Sequence, residues 1–142
     1  MRNPGIGRAA VFAALLFLAT RSVWCEDNPE KLATKAAQVW VLLVDDGKYE
    51  ESWDKATNNF QVAISRAEWK DALTAVRSPL GKVGSRAVKS AQFTTSLPGA
   101  PDGRYVVIQF ATSFEKKKKA IETVVPMEEP DGVWRVSGYF IK

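Results

Sequence analysis

"RSPLGK" (Arg77–Lys82) is where the periodicity of the chain changes. Before it, apolar residues recur at the three-and-four spacing of a helix. After it they alternate with the period of two that a strand imposes. Pro79 and Gly81 punctuate the change, because neither residue continues a helix well. Helices first and strands second predict an α+β fold, with three N-terminal helices packed on a curved four-stranded antiparallel sheet.

Upstream of Arg77, "SRAE" (Ser65–Glu68) is a capping box that opens the third helix, with Trp69, Ala72, Leu73 and Val76 on its inner face. The second helix carries the stripe Tyr49, Trp53, Ala56, Phe60 and Ile64. The first begins at Asn28-Pro29-Glu30, where Asn caps, Pro suits the first helical position and Glu favours the positive helix end. Its stripe is Leu32, Ala36, Val39, Trp40, Leu43 and Val44, and Gly47 stops it.

Downstream, the strands are expected at Ala87–Ser96, Arg104–Phe114, Ala120–Met127 and Val133–Ile141. Val106, Ile108, Phe110 and Phe114 share one face of the second. Ile121, Val125 and Met127 form the apolar face of the third, and Trp134, Val136 and Phe140 that of the fourth. Tyr105, Val107, Arg135, Tyr139 and Ile141 then fall on the opposite face, which offers a surface for a partner or a homodimer. If Phe114 and Ile121 both face the core, their strands need an even-numbered loop. A four-residue turn, Glu115–Lys118, follows, and the lysines Lys116–Lys119 cap a solvated hairpin.

The N-terminus reads differently. Arg2 and Arg8 precede an 11-residue apolar run, Ala9–Ala19, too short for the roughly 20 residues of a spanning helix. This is the pattern of a secretory signal peptide over residues 1–25, followed by a single domain over 26–142, exported to the periplasm or medium. A buried N-terminal helix is the alternative. Cleavage fits after Ser22 or after Cys25, and Trp24 disfavours lipid attachment at Cys25. Removing residues 1–25 takes away Arg2, Arg8 and Arg21. It leaves 17 basic against 16 acidic residues, a net charge of +1 instead of +4. That balance argues against nucleic-acid binding, and the mature chain has no transmembrane span.

The chain has no histidine and its one cysteine is Cys25. This removes Cys/His zinc sites, Ser-His-Asp and Cys-His nucleophile systems and haem ligation through His or Cys. No cofactor is expected, and only a carboxylate metal site stays open. Trp40, Trp53, Trp69 and Trp134, with Phe110, either fill the core or line an apolar ligand pocket between helices and sheet. Their indole N–H groups need partners, for which Asp45, Gln92 and Thr94 are candidates. Arg77 and Arg86 flank the Gly-containing bend, where they either hold an anion bidentately or anchor the loop through Asp71 or free helix-end carbonyls. Asp45-Asp46 closes the first helix, where a carboxylate opposes the dipole; it is either a pair of solvated loop carboxylates or, if buried, a group of raised pKa that could serve as a general base.

Several stretches taken together resemble the domain of unknown function 4019 family of small exported bacterial proteins. They are "RAEWKDALTAVRSPLGKVGSR", "SLPGAPDGRYVVIQFATSFEKKKKAIETV" and "WRVSGYFIK", within about residues 33–142. The resemblance carries over no catalytic residue. The element order is also similar to the nuclear transport factor 2-like, or cystatin-like, superfold, an analogy of fold alone. The leading expectation is a non-enzymatic domain binding a small apolar ligand or a protein partner. One alternative is an acid–base isomerase or dehydratase, which needs a carboxylate inside the pocket from among Asp45, Asp46, Glu115 and Glu122. Another is an interaction module that uses the outer sheet face and the lysine hairpin.

Overall fold

The computed structural model describes residues 28–142. The expected leader and both cleavage positions lie outside the described residues. Four helices precede a sheet of order β1-β2-β3-β4, in which every neighbouring pair is antiparallel.

Helix α1 (Pro29–Asp45) starts as its sequence dictates, with the Asn28 side chain accepting from the Lys31 N–H at 3.1 Å. Its buried face is Ala33, Ala37, Trp40, Val41 and Val44, rotated from the expected stripe. Ala33 and Ala37 are fully buried. Small side chains there let the helix sit close over the large residues of the sheet. Leu32 and Val39, expected inside, are 39% and 61% exposed.

The expected second helix is two short ones, α2 (Tyr49–Asp54) and α3 (Asn58–Ala63). The break has a specific cause. Thr57 caps α3 by accepting from the Phe60 N–H at 3.2 Å, and its own N–H donates to the Val136 carbonyl at 2.9 Å. A backbone group spent on a neighbouring strand cannot also serve a continuous helix. Helix α4 (Arg66–Arg77) opens on the expected capping box, with reciprocal bonds between Ser65 and Glu68. It buries only Trp69, Leu73 and Arg77, every fourth residue, while Ala72 and Val76 face solvent.

The strands are β1 (Val83–Thr94), β2 (Arg104–Phe114), β3 (Ala120–Glu128) and β4 (Trp134–Ile141). β2 turns Val106, Ile108, Phe110 and Phe114 inward as expected. β3 corrects its expected phase. Ile108 opposes Val124, Phe110 opposes Glu122 and Thr112 opposes Ala120. The even residues of β3 therefore face the core, and Ile121 and Met127 do not. The connection is then Glu115–Lys119, an odd count, rather than the four residues Glu115–Lys118. The apolar pattern misled because a carboxylate, Glu122, occupies an inward position. A slip of one residue moves every side chain of a strand to the other face.

A register shift between Val125 and Pro126 re-aims β4 in the same way. Beyond it Tyr139 joins the core, where 9% of it is exposed. Phe140, expected inside, is 61% exposed. Tyr105 lies on the outer face but is sealed there, its hydroxyl donating to the Pro101 carbonyl at 2.7 Å.

The tryptophans form the centre of the helical layer. Trp40 and Trp69 lie 6.2 Å apart by ring centroid, Phe60 meets Trp69 edge-on at 4.8 Å, and Tyr139 meets Trp40 edge-on at 5.4 Å. None of their indoles uses Asp45, Gln92 or Thr94. Trp40 donates to the Ser52 carbonyl (2.8 Å), Trp69 to Ser52 Oγ (3.0 Å) and Trp53 to the Ile64 carbonyl (2.8 Å). Ser52 is fully buried and serves two indoles at once. Ser52→Ala leaves the Trp69 N–H buried without a partner, at a cost of about 1–3 kcal/mol. Denaturant titration is expected to show a lowered midpoint with an unchanged slope.

Candidate functional site

Two arrangements of side chains stand out, one ionic and buried, the other apolar and open. The ionic one draws a residue from every long element. Asp45 closes α1, Arg77 ends α4, Arg86 is on β1, Thr112 on β2, Glu122 on β3 and Tyr139 on β4. Arg86 grips both Asp45 oxygens, with Nη1 to Oδ2 at 2.7 Å and Nη2 to Oδ1 at 2.9 Å, and its Nε donates to Glu122 at 2.7 Å. Arg77 donates to Asp45 Oδ1 at 2.9 Å and reaches the Tyr139 hydroxyl at 3.4 Å. Tyr139 in turn donates a short hydrogen bond to Glu122 Oε2, and Thr112 donates to Oε1 at 2.5 Å. The five residues Asp45, Arg77, Tyr139, Glu122 and Arg86 thus close a ring, with two guanidinium groups matched to two carboxylates.

Burial and charge act against each other at each group. Burial pushes the Asp45 carboxyl up, but the hydrogen bonds and charges of Arg86 and Arg77 pull harder, leaving it below its ordinary value of 3.8. This corrects the expected raised pKa, because the helix dipole is overridden by two adjacent cations. Burial would weaken the charge on Arg86, yet its bonds to Asp45 and Glu122 more than restore it. Burial drives the Tyr139 phenol upward and the Glu122 carboxylate adds to this, so the hydroxyl keeps its proton and donates. Arg77 also stacks over Phe114, 5.0 Å from the ring centroid.

A cleft of about 850 Å³ opens above this ring, lined by Asp45, Asp46, Arg77, Lys82, Arg86 and Glu115 among others. Arg77 and Arg86 are brought together as expected. Their partners, however, are Asp45 and Glu122 rather than Asp71 or helix-end carbonyls, and each carboxylate already accepts from at least two donors. Asp45 and Glu122 do point inward, as an acid–base enzyme would need, but Glu122 is completely buried behind Arg86 and Tyr139. Among the described residues no group of three or more Asp, Glu, His or Cys could hold a metal ion.

The apolar arrangement lies between α1 and β4. The residues of α1 that miss the core, Leu32, Ala36, Val39 and Leu43, face Val133, Trp134 and Val136 across a groove of about 690 Å³. Trp40 forms part of its wall, and Lys35, Glu51, Lys55 and Arg135 border it. Of the five aromatic candidates, Trp40 and Trp134 reach this groove, whereas Trp53, Trp69 and Phe110 belong to the core and its margin.

Residues 36–139 match a family described as "Protein of unknown function (DUF4019)". The chain belongs to this family. No curated protein matches it. The matched segment of the DUF4019 domain contains all six residues of the ionic cluster and most of the groove. Among the described residues no helix is long and apolar enough to cross a membrane.

Glu122 was named among the candidate carboxylates, but Tyr139 was placed on the outer face by strand phase and Thr112 carried no signal, so the cluster as a whole was not legible. One signal existed: an inward-facing Arg86 on β1 requires an inward-facing carboxylate nearby. Asp45→Asn or Glu122→Gln, by uncovering a buried guanidinium, is expected to cost about 3–5 kcal/mol in chemical denaturation. Because the folded-state pKa of Asp45 is depressed, its contribution is complete above about pH 3.8 and is lost as the pH falls below that value. Acid titration of Asp45→Asn is expected to show a shallower loss of stability in that window than the wild type.

Proposed function

We propose that the domain is a non-enzymatic binding module of an exported protein, holding a small apolar ligand in the groove between α1 and β4. The observation that carries this reading is the second apolar face of α1. A surface helix of a globular domain buries one apolar stripe. Here Ala33, Ala37, Trp40, Val41 and Val44 serve the core, while Leu32, Val39 and Leu43 form another stripe that no element among the described residues covers. The groove volume falls within the roughly 300–1,000 Å³ of small-molecule sites, and its lining is apolar with a few charged groups at the rim. The saturated carboxylates of the ionic ring favour binding over acid–base chemistry. Export rests on the charged and apolar pattern of residues 1–25.

The reading is tested by titrating the protein with dansyl-undecanoic acid and following energy transfer from tryptophan. Saturable binding is expected, and Val39→Glu should weaken it by at least about tenfold, or 1.4 kcal/mol. Val39 is largely exposed, so this variant should unfold at the wild-type temperature. Absence of saturable binding overturns the proposal. So does a concentration-dependent dimer abolished by Val39→Glu, which would assign the groove to a second copy.

A further inference from the structure

The register of the sheet gathers one kind of charge at one end of the molecule. The start of β1, the end of β2, the start of β3 and the end of β4 all lie there, since Val83 opposes Phe114 and Glu122 opposes Ile141. Backbone bonds draw the lysine-bearing loops together. The Lys116 N–H donates to the Leu80 carbonyl at 3.0 Å, and the Glu115 N–H to the Lys82 carbonyl at 2.9 Å. Lys142 and Ile121 exchange two backbone bonds of 2.9 Å. Gly81 makes the close approach feasible: its φ is +73°, and a Cβ there would stand 2.5 Å from Glu115 Oε2.

Lys82, Lys116, Lys117, Lys118, Lys119 and Lys142 therefore share one pole. Among the described residues none of the six makes an ion pair. The acidic groups nearby are already engaged or few. Glu115 accepts from the Lys82 N–H at 2.9 Å, Asp45 and Glu122 are neutralised in the ring, and Asp46 lies in the cleft. At the opposite end, where β3 meets β4, Glu128 pairs with Arg104, and Glu129 and Asp131 pair with Arg135. Charge is thus matched at that end and unmatched at the lysine pole, although the two signs nearly balance over the chain.

From this polarity we propose that the lysine pole docks the domain on an anionic lipid bilayer, through phosphate headgroups. The composition of the pole favours a diffuse anionic surface over a built anion site. It consists of lysines, compact hydrated charges on flexible stems, while the arginines Arg77 and Arg86, suited to bidentate recognition, are committed inside. A cluster of four to eight basic residues is the usual requirement for anionic lipid attraction. Six charges grouped at one end suit a plane better than a strand, since a nucleic acid calls for a basic stripe along a face.

The test is co-sedimentation of the full domain with vesicles of phosphatidylglycerol and phosphatidylcholine, compared with pure phosphatidylcholine. Binding only to the anionic vesicles is expected, falling steeply as salt shortens the screening length. Each lysine near such a surface multiplies partition about fivefold. Replacing Lys116, Lys117, Lys118 and Lys119 together by Gln should therefore reduce partition by more than about a hundredfold. Lys116→Gln with Lys117→Gln, and Lys118→Gln with Lys119→Gln, should fall between, which guards against misfolding of the quadruple variant. Vesicle binding that persists in the quadruple variant overturns the proposal. Retention on heparin or poly-glutamate without vesicle binding also overturns it, by assigning the pole to a soluble polyanion. The groove variant Val39→Glu should leave vesicle binding unchanged, so the two proposals fail separately.

Discussion

Two guanidinium groups and two carboxylates share the interior of this domain, and their mutual neutralisation is the constraint on which the arrangement of its elements depends. A buried charge without a partner is strongly destabilising, whereas a matched set is not in itself a large source of stability. The ring of Asp45, Arg77, Tyr139, Glu122 and Arg86 acts chiefly as a specification. It admits one register of β3 against β2, one orientation of the α1 end and one seat for α4. A sheet slipped by a residue would present Ile121 to Arg86 and turn Glu122 to solvent, leaving a cation inside.

This constraint also explains where the sequence was readable. Elements came from local signals, so the caps at Asn28 and Ser65, the stop at Gly47 and the alternation of β2 are all found where the pattern puts them. The Thr57 break depends on β4, some eighty residues away, and no local pattern reports it. The phase of β3 was misread because Ile121, Val125 and Met127 look more like a core face than Ala120, Glu122 and Val124. Burial is decided by pairing as well as by hydropathy, and Glu122 enters the core with Arg86 as its counterion. The same limit hid the candidate site. Arg77 and Arg86 were visible as a pair, and Asp45 and Glu122 as candidate carboxylates, but not the pairing between them, and the groove arises from a rotation of α1 that its stripe did not disclose.

The proposed binding surfaces and the structural interior are therefore separated. The charges that resemble a site are inside and matched to one another. Among the described residues, six lysines without ion pairs gather at one pole, and an apolar groove open to solvent lies along α1. One open surface is offered by α1 and β4, the other by a hairpin tied through Leu80 and Lys82 to the helix-to-sheet bend.

The ring has a further consequence for how the domain folds. Its bonds span 32, 36, 41 and 62 residues, with only the Tyr139–Glu122 link shorter, at 17. Contacts of such separation form after local hairpins and helices, because the loop entropy must be met first. Until β1 and β4 are both in place, the four ions stay hydrated. Closure then removes water from all of them in one late event. Interactions absent from the transition state act on the unfolding rate rather than the folding rate. The ring accordingly sets how long the native state persists, while the hairpins and capped helices set how quickly it is reached.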